Sequence, residues 1–198
     1  MTPSGDLWTI PNLLTYARVA SAAVVAGLIL LGSGEARAAA AGVLVLASAT
    51  DWLDGYLARR WQQISAVGTA IDPIADKLLV VAALVPLVSV GVIAGVHVIA
   101  VLGLLVREIW VPGLREALAG RAVKLPVTKL AKWKTATQMV AVVVLTVDMG
   151  WLFGPANGVG AVMGTFGLAL LWLAMALTLW TGWQYTVRAI ASLRGKTD

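Results

Sequence analysis

Long apolar runs alternate with short polar or glycine-containing segments along most of this chain. About 20 consecutive apolar residues are needed for a helix to cross the hydrocarbon core of a bilayer. Six runs approach or exceed that length: Leu13–Leu31, Ala38–Leu57, Val67–Val90, Val92–Leu114, Leu130–Trp151 and Val159–Tyr185. The pattern therefore predicts an all-α integral membrane protein with six transmembrane helices.

Composition agrees with a membrane protein and narrows its chemistry. Of the 198 residues, 60% are hydrophobic and 13% are charged, whereas soluble domains carry about 25% charged residues. We expect one transmembrane domain over residues 1–198, because this length is typical of a single domain. The absence of cysteine excludes disulfides, thiolate metal sites and cysteine nucleophiles. The single histidine, His97, is expected to be a packed or interfacial residue rather than a catalytic one.

Basic residues predict the orientation in the membrane, because cytoplasmic loops are enriched in lysine and arginine. They crowd one set of connections, and only Arg37 falls on the opposite side. The crowded side is therefore predicted to be cytoplasmic, with both termini there, in a multi-pass protein of the cell (inner) membrane. The net charge of +5 reflects this bias rather than nucleic-acid binding. The basic residues of the crowded side are Arg59, Arg60, Arg115, Arg121, Lys124, Lys129, Lys132, Lys134, Arg188, Arg194 and Lys196.

Polar residues that can carry chemistry lie on two adjoining helices. One face of the second predicted helix carries two aspartates, two small residues and an arginine: Asp51, Asp54, Gly55, Ala58 and Arg59. One face of the third carries Gly68, Asp72 and Asp76 at intervals of four residues. A short turn joins the two helices, so we expect antiparallel neighbours whose acidic faces meet. The predicted site is a polar cavity that opens to the cytoplasm.

Four converging carboxylates would repel one another unless cations neutralised them. Two divalent cations would do so, and Mg²⁺ or Mn²⁺ is favoured because hard ions prefer oxygen ligands. Such a pair can clamp a phosphoryl group during in-line displacement. The small residues Gly55, Ala58 and Gly68 leave room for a large substrate or for close helix packing. Arg59 can bind a phosphate through two hydrogen bonds.

Two other interpretations of the same residues are open. The charges could form ion pairs between helices, with small residues serving packing, although four acids and one arginine do not balance. An ion-coupled transporter would also carry buried carboxylates, but near the bilayer midplane or scattered over several spans. Here they cluster near one end of two adjacent helices, which favours an enzyme.

The stretch DWLDGYLARRWQQISAVGTAIDPIAD contains the pattern D-x2-D-G-x2-A-R-x8-G-x3-D-x3-D without a gap. It resembles the signature of the CDP-alcohol phosphotransferase family. The resemblance implies a six-helix membrane enzyme, usually a homodimer. Such an enzyme cleaves a CDP-linked lipid such as CDP-diacylglycerol, passes the phosphatidyl group to an alcohol and releases CMP.

The resemblance also implies a role for each aspartate. Asp51 and Asp72 resemble ligands shared by both metals, Asp54 resembles a ligand of one metal, and Asp76 a ligand of the other. Asp76 further resembles the base that takes the proton of the acceptor hydroxyl.

Binding of the CDP-lipid is implied for a set of small and polar residues: Asn12, Thr15, Gly55, Ala58, Arg59, Ser65 and Gly68. Asn12 and Thr15 belong to the segment PNLLT, which resembles a nucleotide-contacting stretch. The same segment can instead start the first helix with Asn12 as its N-cap. Both interpretations stay open at this point.

Cationic residues around the fourth and fifth predicted helices suggest an anionic acceptor, such as a sugar phosphate or glycerol phosphate. They are Arg107, Arg115, Lys132 and Lys134. Ordinary cytoplasmic charge bias is the alternative for each lysine, whereas Arg107 directly follows the apolar run Val98–Val106.

Three further segments narrow the resemblance to one branch of the family. PNLLTYAR, VREIWVPGLRE and KWKTATQ resemble the phosphatidylglycerolphosphate synthases, which transfer phosphatidyl to glycerol 3-phosphate. Sibling enzymes use inositol phosphate or, in cardiolipin synthesis, phosphatidylglycerol as the acceptor, and these are the alternatives.

Overall fold

The computed structural model of the chain describes residues 9–61, 66–119, 129–147, 152–153 and 158–193. Side chains are described there except at positions 10–11, 51–61, 66–70, 119, 129–132 and 193. Within this part the chain forms six long helices and no strand, which confirms the predicted all-α class. The helices are α1 (Ile10–Leu30), α2 (Gly34–Trp61), α3 (Ala66–Ser89), α4 (His97–Ala119), α5 (Lys129–Thr146) and α6 (Val159–Leu193).

Three of the described helices are long and apolar enough to cross a membrane. The qualifying segments are Asn12–Leu30 in α1, His97–Leu118 in α4 and Val159–Ser192 in α6. Each of the six predicted apolar runs overlaps one helix, so the helical segments were predicted correctly. That all six cross the membrane stays a prediction.

The connection between α3 and α4 differs from the sequence prediction. A fourth helix was expected from Val92, but α4 begins at His97. The backbone at Gly91 and Gly95 has φ values of +77° and +57°, in the left-handed region that glycine adopts without steric cost. Two such residues interrupt a right-handed helix. The hydropathy pattern does not reveal this break in the helix, because the residues around these glycines are themselves apolar.

Internal contacts divide the chain into two compact units. Unit 1 comprises residues 1–92 and 142–164, and unit 2 comprises residues 93–141 and 165–198. Unit 1 therefore contains α1, α2 and α3, and unit 2 contains α4 with most of α5 and α6. The expectation of one domain over the whole chain stays a prediction.

The core of unit 1 forms where α1 packs against both α2 and α3. Ile29, Leu44, Leu79 and Leu84 are fully buried there. Small residues at several other buried positions let helix backbones approach closely. They are Ala22, Ala40, Ala41, Ala47, Ala75 and Ala83.

Arg37 connects the start of α2 with the end of α5, within unit 1. Its Nε donates to the Thr146 carbonyl at 3.1 Å, and its Nη2 donates to the Leu145 carbonyl at 2.9 Å. The last carbonyls of a helix have no donor within the helix, and a cation also interacts favourably with that end of the helix dipole. Arg37 therefore serves as a side-chain cap for the C-terminus of α5.

In unit 2, α4 approaches α6 closely. A Cβ atom added to Gly103 would lie 3.0 Å from Cγ of Met175, so a larger residue here would require the Met175 side chain to shift. At the start of α4, the indole Nε1 of Trp172 donates to Nδ1 of His97 at 3.0 Å. The two rings meet edge to face, with centroids 6.4 Å apart. This contact agrees with the expectation that His97 is a packed residue.

Candidate active site

A buried polar stripe runs along the first two turns of α1. Asn12, Thr15 and Arg18 recur every three residues, and each is at most 2% exposed. The helix is capped by Thr9, whose side chain accepts a hydrogen bond from the Asn12 backbone N–H at 3.4 Å. The alternative in which Asn12 itself caps the helix is therefore wrong, because α1 begins two residues earlier, at Ile10.

The polar stripe of α1 binds the two aspartates of α3. The Thr15 hydroxyl donates to Oδ1 of Asp72 at 2.5 Å. One α-helical turn further along both helices, Nη1 of Arg18 donates to Oδ1 of Asp76 at 3.1 Å. Because the residue numbers of the two bonded pairs increase in the same direction along both helices, α1 and α3 run parallel here. The structure thus brings Asp72 and Asp76 onto one face of α3, as the four-residue spacing predicted.

The Arg18–Asp76 pair is asymmetric in its exposure. The Arg18 side chain is 1% exposed, whereas the Asp76 side chain is 53% exposed. Asp72 is half-buried. A ligand can therefore reach the carboxylates, while the arginine that holds one of them is enclosed between helices.

The described carboxylates suit a divalent cation. Asp72 and Asp76 supply oxygen donors, the ligands that Mg²⁺ and Mn²⁺ prefer. No group of three or more Asp, Glu, His or Cys side chains gathers within the described part of the chain. The side chains of the other two predicted ligands, Asp51 and Asp54, lie outside that part.

Several other predicted site residues are described only in part or not at all. α2 contains Asp51, Asp54, Gly55, Ala58 and Arg59, and α3 contains Gly68, so their backbones are helical as predicted. Their side chains lie outside the described residues, as does that of Lys132 in α5. Ser65 lies outside them altogether. Their predicted roles in binding the CDP-lipid or acceptor stay predictions.

Unit 2 contains a second group of charges, the Arg107–Glu108–Lys134 cluster. The Lys134 ammonium donates to Oε1 of Glu108, and Nη1 of Arg107 lies 3.5 Å from the same oxygen. The side chains of Lys134, Arg107 and Glu108 are 4%, 13% and 15% exposed. Among the described residues, none accepts a hydrogen bond from the buried Nε of Arg107. Among these three side chains, two cations therefore contact the same carboxylate oxygen, so the cluster itself contains two positive charges and one negative charge.

Helix α6 supports both predicted arginines of α4. A Cβ atom on Gly182 would lie 3.2 Å from Cγ of Arg107, so glycine leaves space for the arginine stem. Two turns further along α4, Nη2 of Arg115 donates to the Tyr185 hydroxyl at 3.1 Å. The Arg115 guanidinium also lies 5.0 Å from the centroid of the Tyr185 ring, a cation–π contact.

Sequence reasoning missed the roles of Arg18, Glu108 and Tyr185. A signal for Arg18 was present, because Asn12, Thr15 and Arg18 repeat at a helical spacing in an otherwise apolar run. A charge inside such a run needs a partner, and the α3 carboxylates are candidates. The pairing of Glu108 with Lys134 spans 26 positions, and local spacing carries no signal for it.

Comparison with known proteins identifies the family of this chain. The sequence pattern of the CDP-alcohol phosphatidyltransferase family matches residues 8–180. The chain belongs to this family, and it is an enzyme, a phosphatidyltransferase.

Individual relatives extend over nearly the whole chain. A Cereibacter sphaeroides protein named CDP-diacylglycerol–glycerol-3-phosphate 3-phosphatidyltransferase is 39% identical, over 94% of this chain and 98% of its own length. A Rickettsia bellii protein of the same name is 39% identical, over 89% and 92%. A rice protein named cardiolipin synthase (CMP-forming) is 35% identical, over 90% of this chain and 56% of its own length.

Proposed function

We propose that this enzyme transfers the phosphatidyl group of CDP-diacylglycerol to glycerol 3-phosphate, giving phosphatidylglycerol phosphate and CMP. The observation that carries the proposal is the pair Asp72 and Asp76, held on one face of α3 by Thr15 and Arg18. These two residues complete the eight-residue signature in the sequence. Relatives at 39% identity bear the corresponding name.

Asp51, Asp54, Asp72 and Asp76 would hold two divalent cations, Mg²⁺ or Mn²⁺. When bound, such cations polarise the pyrophosphate and stabilise the negative charge that develops on departing CMP. The oxygen donors of Asp72 and Asp76 support this assignment, because hard cations prefer them.

The CDP-lipid binds the same region of unit 1. Its cytidine diphosphate contacts Asn12, Thr15, Gly55, Ala58, Arg59, Ser65 and Gly68. Asn12 and Thr15 lie on the α1 stripe next to the carboxylates. The small residues leave space for the substrate, and Arg59 can bind a phosphate through two hydrogen bonds.

Asp76 is the general base of the proposed reaction. Its carboxylate takes the proton of the acceptor hydroxyl while the hydroxyl oxygen forms a bond to the phosphorus attached to diacylglycerol. The bond from that phosphorus to the oxygen of CMP breaks in the same displacement, so no phosphorylated enzyme forms. The 53% exposure of the Asp76 side chain supports this role, because a base must be accessible to its substrate.

The residues assigned to the acceptor phosphate are Arg107, Arg115, Lys132 and Lys134. The Arg107–Glu108–Lys134 cluster supports this assignment, because its two cations outnumber its one carboxylate. A phosphate oxygen is a strong acceptor for the guanidinium group of Arg107. Glycerol 3-phosphate carries one such phosphate group.

Replacing Arg107 by methionine should raise the KM for glycerol 3-phosphate about 10- to 150-fold, because a charge-assisted hydrogen bond contributes about 1.5–3 kcal/mol. The KM for CDP-diacylglycerol should stay within about twofold of the wild-type value. Steady-state assays with each substrate varied in turn measure both constants. Arg188→Met is the matched control, since Arg188 is an exposed arginine of α6. An unchanged KM for glycerol 3-phosphate would remove Arg107 from the acceptor site.

The rice cardiolipin synthase at 35% identity supports a second candidate acceptor, phosphatidylglycerol. This acceptor is a lipid with a phosphodiester, so it carries less negative charge than glycerol 3-phosphate. The excess cations of unit 2 favour the smaller, more highly charged acceptor.

The first test is CMP release by purified protein supplied with CDP-diacylglycerol, Mg²⁺ and one acceptor at a time. Release with glycerol 3-phosphate and not with phosphatidylglycerol or inositol phosphate is the expected result. Release with only one of the other acceptors would keep the chemistry and change the substrate. Folded protein that releases no CMP with any acceptor would overturn the proposed function.

In the same proposal the chain is one domain that crosses the inner membrane six times. Both termini and the active site face the cytoplasm, and the enzyme is a homodimer. The basic residues concentrated on one side support this orientation.

Single introduced cysteines test the orientation without background, because the chain has none. A Ser33→Cys variant, in the turn between α1 and α2, should react with an impermeant maleimide added to spheroplasts. A Thr197→Cys variant should react only after the membrane is opened. The reverse pattern would invert the proposed topology.

A further inference from the structure

Helix α1 contains a buried cation, Arg18, that has no role in the reaction proposed above. Arg18 lies within a helix that is apolar enough to cross a membrane, and its side chain is 1% exposed. A charge in such a position is costly unless a partner compensates it. Asp76 is one such partner, through the 3.1 Å hydrogen bond from Nη1 of Arg18 to Oδ1 of Asp76.

The contacts of Arg18 indicate how it can act. Its guanidinium already donates to the Asp76 carboxylate, and its side chain is enclosed between helices. We therefore expect its effect on the reaction to pass through the residue that it binds.

The contact also restrains an exposed side chain. Asp76 is more than half exposed, and its Oδ1 accepts the hydrogen bond from Arg18. A hydrogen bond from a buried guanidinium holds one carboxylate oxygen in place and so restricts the plane of the group. The Thr15–Asp72 bond one turn away holds the register of α1 against α3 in the same way.

We propose that Arg18 is a positioning residue of the transfer reaction, whose buried guanidinium holds Oδ1 of Asp76 and orients that carboxylate toward the acceptor hydroxyl. This inference rests on the proposed function, in which Asp76 is the base. Catalysis by a general base depends on its geometry, and a displacement of about 1 Å can cost about 100-fold in rate.

An Arg18→Met variant separates positioning from folding. Methionine fills much of the same volume with an apolar chain, and an uncharged side chain suits a buried site. We expect kcat to fall about 100-fold, with KM for both substrates within about twofold. The rise in thermal midpoint that Mg²⁺ and CDP-diacylglycerol produce together should persist, because neither ligand contacts Arg18. Arg18→Lys should recover part of kcat, since it keeps the charge but not the planar guanidinium geometry.

Chemical rescue provides an independent readout. Arg18→Ala leaves a cavity that millimolar guanidinium, far below denaturing concentrations, can fill beside Asp76. Guanidinium should raise kcat in Arg18→Ala and leave Arg18→Met unchanged, because methionine occupies the space.

A double-mutant cycle tests whether Arg18 acts through Asp76. In an Asp76→Asn background, Arg18→Lys should cause no further loss of kcat, because effects on one catalytic unit are not additive. This comparison also decides the question if Arg18→Met fails to fold. Additive losses in the cycle, or wild-type kcat in folded Arg18→Met, would overturn the proposal. Wild-type protein without CMP release would overturn the proposed function instead, so the two failures are distinguishable.

Discussion

Replacement of Asp76 by asparagine should lower kcat by at least about 100-fold, the lower end of the range for loss of a general base. Asparagine keeps the size of the side chain, and its oxygen still accepts the hydrogen bond from Arg18. The fold should therefore survive, with a thermal midpoint near that of the wild type. CMP release at saturating glycerol 3-phosphate and high Mg²⁺ measures the loss.

Glu35→Gln is the matched control for this change. Glu35 is an exposed carboxylate in the first turn of α2, and it has no role in the proposed reaction. Its neutralisation should leave kcat unaltered. Normal turnover in folded Asp76→Asn would show that another group takes the proton.

Replacement of Glu108 by glutamine should destabilise the protein by about 3–5 kcal/mol, because it removes the carboxylate that compensates a buried cation. Lys134 is almost completely buried, and its ammonium donates to Glu108. For a chain of this size the loss corresponds to a decrease in thermal midpoint of roughly 10 °C. Thermal unfolding in detergent, followed by circular dichroism, measures the decrease.

A second substitution separates the contribution of the Glu108–Lys134 pair to stability from its contribution to acceptor binding. Adding Lys134→Met to Glu108→Gln removes the buried charge, and replacement of a whole ion pair is often close to neutral. The double variant should regain most of the thermal midpoint, while its KM for glycerol 3-phosphate should rise, because Lys134 no longer binds the acceptor phosphate. A midpoint within about 2 °C of wild type in Glu108→Gln alone would show that the pair contributes little.

The helices were predictable from sequence because each apolar run is about as long as a helix that crosses the hydrocarbon core of a bilayer. The shared face of Asp72 and Asp76 was equally predictable, since four residues correspond to about one helical turn. The hydropathy pattern placed the start of α4 too early. Gly91 and Gly95 interrupt the helix through their backbone conformation, which polarity along the sequence does not show.

Long-range pairing was the part of the site that local spacing could not supply. Arg18 and Asp76 are 58 positions apart, and which helix faces meet depends on how the helices pack. The segment around Asn12 was ambiguous because asparagine is a common N-cap. The threonine three residues earlier satisfies the same geometry and takes the capping position.

The Arg37 contact has a consequence for the biogenesis of the enzyme. The carbonyl groups that Arg37 binds belong to residues 145 and 146, more than 100 positions later in the chain. A ribosome has not yet made these groups when α1, α2 and α3 first emerge. Unit 1 therefore cannot reach its final form until the segment that builds most of α4 and α5 has been synthesised. Truncation before residue 142 would remove part of unit 1 itself, and the nascent chain up to α3 would remain an assembly intermediate that waits for its last contacts.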